Sequence, residues 1–366
     1  MKLSFSKTEL LKGINIVLKA VSSKTTLPIL KCILIDAQEE NIKLFANDME
    51  LAITTVVEGN ILEKGSIALE ARIFSEIARR LPEGDISIET NERMTATIKC
   101  GKSVFSIPGQ DPSEFPPVPD IEKEVHLGMS QFTLKEMIRQ TIFSLNISEN
   151  NKLMTGELFE IKNNALRMVA LDGHRIAIRK IFLAGKYEDK KVIVPGKTLG
   201  EVGKILSDNL EDQLNVYFSN NHILFEFDDT CVYSRLIEGD YFHVDNMLGG
   251  DPQTKINLNK KDFYSSLERS ELLIKEGENK PIILEATDGI MDMKINTALG
   301  SMHEDIPIEK EGNDIRIGFN PKFIIDALKV IDDEEINIYM INQKAPCFIK
   351  NEDETYLYLI LPVNIL

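Results

Sequence analysis

Residues 168–180, MVALDGHRIAIRK, set Asp172, Gly173, His174 and Arg175 between two apolar runs. An Asp two residues from a His, beside a Gly and an Arg, suits three different things: an acid–base pair, half of a metal site, or a tight turn. The first two need a third group. The other histidines, His126, His222, His243 and His303, are scattered without H-E-x-x-H or H-x-x-x-H spacing. His243 and Asp245 repeat the H-x-D spacing, but in a linker-like stretch where chance explains it. Cys32, Cys100, Cys231 and Cys347 lie far apart with no C-x-x-C, so neither a disulfide framework nor a zinc knuckle is indicated. The chain has no G-x-x-x-x-G-K-[ST] and no G-x-G-x-x-G, and no nucleophile or oxyanion hole can be picked out. The expectation is a protein that is not an enzyme, with no metal and no cofactor.

The elements around this stretch belong to a pattern that comes three times. ARIFSEIARRL (71–81), GKTLGEVGKIL (196–206) and PKFIIDALKVI (321–331) follow one another at intervals of 125 residues. Arg72, Lys197 and Lys322 correspond, as do Phe74, Leu199 and Ile324, then Glu76, Glu201 and Asp326. Apolar positions at i, i+3 and i+7 predict a short amphipathic helix in each. An earlier helix is expected from FSKTELL (5–11), FTLKEMI (132–138) and LNKKDFY (258–264), and hairpins at 33–48, 158–172 and 283–297, where polar turn residues separate alternating strands. Further strands close each unit at DISIETNERMTATIK, LNVYFSNNHILFEF and INIYMINQKAPCFIK. Pro-, Gly- and Asp-rich stretches at 109–120 and 238–254 read as linkers. The organisation expected is α+β with three domains, 1–120, 121–247 and 248–366, each with its own core.

The 366 residues are 43% hydrophobic and 27% charged, enough apolar material for several cores. No apolar run approaches the ~20 residues of a membrane span, and the start has polar residues through its apolar positions, so the chain is expected to be cytosolic. The net charge is −16, which repels nucleic acid and membrane unless positive charge is segregated. It is segregated. The six helical segments (7–19, 71–81, 133–145, 196–206, 258–275, 321–331) hold 16 Lys and Arg against 8 acids, leaving −24 on the rest. Solvated helix faces explain any one of these segments. Repetition favours a basic surface for a polyanion: Arg72, Lys197 and Lys322 share one position, and Arg79 or Arg80, Lys204 and Lys329 recur near the helix end. The helix dipole accounts for cations in a last turn but not in a first.

With LPIL at 27–30, RRLPEG at 79–84, DGHRIA at 172–177 and a chain ending YLYLILPVNIL, the three-unit sequence resembles the bacterial sliding-clamp family, the beta subunit or processivity factor of DNA polymerase III. The resemblance runs over the whole chain. It implies three clamp domains per chain and a head-to-tail homodimer closed into a ring around duplex DNA, with helices lining the hole and antiparallel sheets outside. It implies DNA contact through Lys24, Arg72, Arg79, Arg80, Lys197, Lys204, Lys322 and Lys329. It further implies a pocket for short peptides of the polymerase III catalytic subunit, the clamp loader and other clamp-binding proteins. That pocket would be formed by Met154, Leu171, Gly173, His174, Arg175, Ile176, Phe242, Asn246, Met247, Leu359, Ile360, Leu361, Pro362 and Val363. Phe242 stands where the family often has a proline, and Asn246 where a basic residue is common. On this resemblance DGHR is a turn at a peptide groove, with His174 and Arg175 presenting polar edges. The competing reading is an acidic scaffold that binds proteins only.

Overall fold

Each repeat opens with a strand that runs straight into a capped helix. In the first, strand Lys2–Ser6 leads into α1 (Lys7–Val17), where the Ser6 hydroxyl accepts the Glu9 N–H at 3.2 Å. The second repeat passes from strand His126–Ser130 to α3 (Gln131–Arg139), with Ser130 accepting from Thr133 N at 3.1 Å. The third passes from strand Thr254–Asn259 to α5 (Lys260–Glu271), with Asn259 accepting from Lys261 N and Asp262 N. The computed structural model describes residues 1–366 apart from 23, 119, 120, 122, 124, 125, 149, 150, 276, 279 and 366.

The opening strands are absent from the sequence reading, and they correct its register. Phe5 and Leu258 lie at the end of a strand, whereas Phe132 is already the second residue of a helix. The structural counterpart of Phe5 is therefore Met129, three residues earlier than the motif match places it. The later helix of each repeat stands where its period predicts: α2 (Ala71–Arg80), α4 (Gly196–Ile205) and α6 (Pro321–Leu328). The hairpins do too, as Cys32–Ala37 with Ile42–Asn47, Gly156–Lys162 with Ala165–Leu171, and Ile282–Thr287 with Ile290–Thr297. In the second hairpin Asn163 and Asn164 take φ of +51° and +56°, the left-handed pair a two-residue turn requires.

The contact pattern does not divide the chain at the repeat boundaries. One compact unit comprises Met1–Lys135 and Glu201–Leu236, the other Glu136–Gly200 and Ile237–Leu366. The cause is strand pairing between repeats. In the first unit, strand Leu51–Val57 pairs antiparallel with Thr230–Arg235, fastened by the buried hydroxyl pair of Thr55 and Thr230 at 2.8 Å. In the second, Arg175–Phe182 pairs antiparallel with Tyr356–Ile360 in one nine-stranded sheet. A separate four-stranded sheet in that unit ends on Gly300–Pro307. Its core, with Phe263, Leu267, Phe319, Ile324, Ile325 and Leu328 buried, lies under α5 and α6.

Within each repeat the two helices are clasped end to end by polar side chains. The Lys7 ammonium donates to the Leu81 carbonyl at 2.6 Å, and that of Lys260 to the Ile331 carbonyl at 2.6 Å. The second repeat has Gln131 at the equivalent position, accepting from Ser207 N at 3.0 Å, while Lys135 one turn later takes the Leu206 carbonyl at 3.1 Å. A lysine on a carbonyl just past a helix end satisfies an acceptor that has no intrahelical partner. Among the described residues no helix is long and apolar enough to cross a membrane.

Candidate peptide groove and nucleic-acid interface

The DGHR stretch is a side-chain-braced turn. Asp172 Oδ1 accepts from His174 N at 2.9 Å and Arg175 N at 3.1 Å, and Gly173 takes φ +91°, which the turn needs and a side chain there would strain. The carboxylate is thereby aimed at backbone and at Arg175, whose Nε donates to Oδ2 at 2.9 Å. The His174 ring lies elsewhere, stacked on Phe323 at 5.9 Å and 17°. Asp172 and His174 therefore form no acid–base dyad.

Strand alternation then sorts the expected groove residues between the two faces of one sheet. Arg175 pairs with Ile360, Ile176 with Leu359, Ala177 with Tyr358 and Ile178 with Leu357. Ile176, Ile178 and Leu359 join Leu158, Val169, Leu171, Val244 and Phe348 in one apolar cluster, with Met154, Tyr241, Phe242 and Leu248 partly buried against it. Ala177, Tyr358 and Ile360 belong to the core on the opposite face. Ile360 is therefore core, not groove. Arg175 points to that same face and presents no free edge. Its Nη1 donates to Asp326 at 2.7 Å and its Nη2 to the Phe143 carbonyl at 2.7 Å, and the guanidinium lies 5.3 Å from the Phe143 ring and 4.7 Å from the Phe323 ring.

The remaining positions form a rim. Leu361 N donates to the His174 carbonyl at 2.9 Å and Val363 N to the Gly318 carbonyl at 2.8 Å, with Pro362 between them. These anchors leave Leu361 38% and Val363 37% exposed, an apolar ledge beside the turn. In the short helical turn Val244–Met247, Asn246 and Met247 face outward, and the side chains that pack are Val244 and Leu248. Phe242 packs edge-on against Tyr241, whose hydroxyl donates to the Val169 carbonyl at 3.1 Å. Tyr339, Ile341 and Phe348 also line this cluster and were not anticipated. Their signal was the alternate apolar residues of INIYMI and CFIK, which shows a strand but not which strand it lies beside.

Of the basic positions, Arg72, Lys197 and Lys322 are all exposed in the first turn of α2, α4 and α6, where Phe74, Leu199 and Ile324 are buried. Arg79 and Arg80 both pair with Glu76, and Lys204 with Glu201 at 2.8 Å. Lys329 is exposed after the last turn of α6, and Lys24 is exposed in the loop before Pro28–Lys31. Three of the 16 helix cations in the charge count, Lys7, Lys135 and Lys260, are committed to the helix clasps and are not available to a ligand.

Family models of the DNA polymerase III beta subunit match the chain in order: the N-terminal domain at residues 1–119, the central domain at 128–243 and the C-terminal domain at 246–364. A beta sliding clamp of Staphylococcus aureus is 34% identical, with 100% of this chain and 99% of that protein covered. The chain belongs to the DNA polymerase III beta subunit family, the sliding clamps. Among solved structures, a putative DNA polymerase III beta subunit from Eubacterium rectale is 56% identical with a TM-score of 0.97, and the DNA polymerase sliding clamp of Bacillus subtilis 34% identical with a TM-score of 0.97; in each, both chains are covered completely.

A sliding clamp is a non-catalytic subunit, so the Asp172–His174 spacing has no reaction to serve and the turn reading is the one that fits. The three repeats are the three clamp domains. The one strongly perturbed carboxyl among the described residues also lies outside any reactive site: Glu157, fully buried in strand Gly156–Lys162, has its pKa pushed up to about 8 by burial, opposed only by the Thr141 hydroxyl 2.8 Å from Oε2.

Proposed function

We propose that two copies of this chain close into a ring around duplex DNA in the cytoplasm and tether the polymerase III catalytic subunit, the clamp loader and other motif-bearing proteins through the groove beside the DGHR turn. The observation that carries the DNA part is the set Arg72, Lys197 and Lys322: one exposed cation at one position of three equivalent helices, in a chain of net charge −16. Contacts of this kind reach phosphates and read no sequence, which is what a protein that slides requires.

Two free strand edges support closure of a second copy onto the first. Among the described residues, 103–107 of strand Ser103–Gln110 pair only with Thr95–Cys100, and Gly300–Pro307 pairs only with Ile290–Thr297. Apolar side chains stand exposed beside each: Ile73 and Phe105, which line one cavity of about 530 Å³ with Ile77, and Leu272 and Leu299 in the other unit. Joining unlike edges head to tail is a heterologous contact, and such contacts either close or polymerise. Closure at two copies makes six repeats.

The groove supports the tether. Leu171, Ile176 and Leu359 floor it, Met154, Phe242, Leu361 and Val363 rim it, and the apolar surface suits a short aromatic or aliphatic anchor. Burying such an anchor contributes a few kcal/mol at ~25 cal/mol per Å², so single peptides bind at micromolar strength and the ring gains by avidity. Native mass together with retention on nicked circular versus linear DNA tests the reading, using the protein and its Arg72→Glu/Lys197→Glu/Lys322→Glu variant. A dimer retained on circles alone, and lost in the variant with its mass unchanged, is expected. A monomer, or a variant that loads as well as the parent at low salt, overturns it.

A further inference from the structure

The second helix of each repeat carries an acid at one position, and the three acids are used differently. Glu76 pairs with Arg79 and Arg80 on its own helix, and Glu201 with Lys204 on its own helix at 2.8 Å and more loosely with Lys19 at 3.9 Å. Asp326 instead reaches Arg175 in the DGHR turn at 2.7 Å. Lys329, which stands where Arg79 and Lys204 stand, forms no ion pair among the ones the described residues make.

Arg175 gathers three segments on one guanidinium: the turn through Asp172, the carbonyl of Phe143, and α6 through Asp326 and Phe323. Its side chain is 10% exposed and that of Asp326 20%, so the pair is largely screened from water. The neighbouring His174 stacks on Phe323 with its ring and holds Leu361 with its carbonyl. The groove's turn and C-terminal ledge are thus fixed to α6, and Lys322, adjacent to Phe323, is the exposed cation of that same helix.

We propose that Asp326 and Phe323 are positioning residues of the groove, and that through them a phosphate contact on α6 and a peptide in the groove favour each other. This rests on the peptide-groove and DNA-contact readings above. A phosphate on Lys322 restrains the first turn of α6, which carries Phe323; the stacked His174 and the paired Arg175 then hold the ledge where a peptide meets it. A bound peptide restrains the same stack from the other side, and the coupling is reciprocal by linkage.

The experiment measures the affinity of full-length protein for a polymerase-derived peptide, free and after loading on nicked circular DNA, for the parent chain, Asp326→Asn and Asp326→Glu. In the parent, loading tightens binding about five-fold, within the range of ordinary site–site coupling. In Asp326→Asn the DNA-free affinity falls about ten-fold and the response to DNA disappears, while dimer mass and DNA retention stay as they were. Asp326→Glu, which keeps the charge, retains part of both. Phe323→Leu, which keeps an apolar side chain in the helix but removes the stacking face, reproduces the Asp326→Asn pattern and serves if that variant folds poorly. A parent that binds no peptide refutes the groove itself. A parent that binds, with Asp326→Asn and Phe323→Leu binding equally well, overturns the positioning roles; a parent whose affinity ignores DNA overturns the coupling.

Discussion

Replacing Glu157 by Gln should make the clamp more stable, and increasingly so as the pH rises. The reason is a count of protons. The Thr141 hydroxyl lies 2.8 Å from Glu157 Oε2 and 2.7 Å from the Met137 carbonyl, and it has one hydrogen for the two acceptors. An ionised Glu157 leaves one acceptor unserved in a site that excludes water; a protonated one donates to Thr141, which then donates to Met137. Burial favours the same state, raising the pKa from 4.5 to about 8. Tyr241, the titratable group whose own pKa this carboxyl helps raise, is pushed upward from 10 mainly by burial and is neutral throughout the range of interest. Between those two values of Glu157 the native chain holds a proton that the unfolded chain has released, so stability falls with rising pH by ~1.4 kcal/mol per pH unit, roughly 4–5 kcal/mol across the whole span as an upper bound. Below 4.5 both states are protonated and the group costs nothing; above about 8 the loss is complete. Gln keeps the shape and offers an N–H to Thr141 without titrating. Thermal unfolding of both proteins at matched concentration, at pH 5.5, 7 and 8.5, reads the difference. The gap in Tm should widen steadily with pH, at about 2–4 °C per kcal/mol for a unit of this size. Parallel profiles, or a gap that narrows toward pH 8.5, would refute the buried-proton argument.

Lys260→Met removes a charge-assisted bond to the Ile331 carbonyl and should cost about 1–2 kcal/mol in the unfolding of its unit, with DNA retention unchanged; equal stability would mean the clasp is idle. Deleting residues 362–366 removes Pro362 and Val363 from the ledge but no helix cation, so peptide binding should fall at least ten-fold, about 1.4 kcal/mol or more, while dimer mass and loading persist. An unaltered peptide affinity would remove the ledge from the site. With three exposed equivalent cations per chain, binding to a short linear duplex should weaken with salt at a log–log slope no steeper than roughly −5 for a dimer, and the triple Glu variant should flatten it; a much steeper slope would show that other cations dominate.

Period carried most of the helical layout, because it is local. Ser6, Ser130, Asn259 and Asn320 each cap a helix with the side chain that their type predicts. The short strands before three of those helices were hidden, since five or six residues such as KLSFS or TKINLN merge with the helical pattern that follows. The candidate groove was legible as a composition and not as a surface. In YLYLI every residue is apolar, so alternation cannot say that Leu357 and Leu359 face the groove cluster while Tyr356, Tyr358 and Ile360 face the core. That assignment depends on the ladder to Arg175–Arg179, more than 150 residues away in sequence, as the use of Arg175 depends on Asp326. Counting charge had the same limit. Lys7 and Lys260 look like Lys322 in a sum and differ from it in having a carbonyl to hold.

The clasps and ion pairs bear on how such a protein can hold DNA and still move. A cation buried against helix carbonyls is a fixed part of the fold, and one already paired to a carboxylate on its own helix meets a phosphate only by sharing or leaving that partner. Arg79, Arg80 and Lys204 are of the second kind, in exposed pairs whose intrinsic worth is about 0–1 kcal/mol, so exchanging Glu76 or Glu201 for a phosphate changes little in either direction. Arg72 and Lys322, in the first turns, act with the fewest competitors. A surface made of near-neutral exchanges has no deep minimum along the duplex. On the proposed ring, retention then comes from closure around the DNA, and the strength of individual phosphate contacts is limited by the carboxylates set beside them.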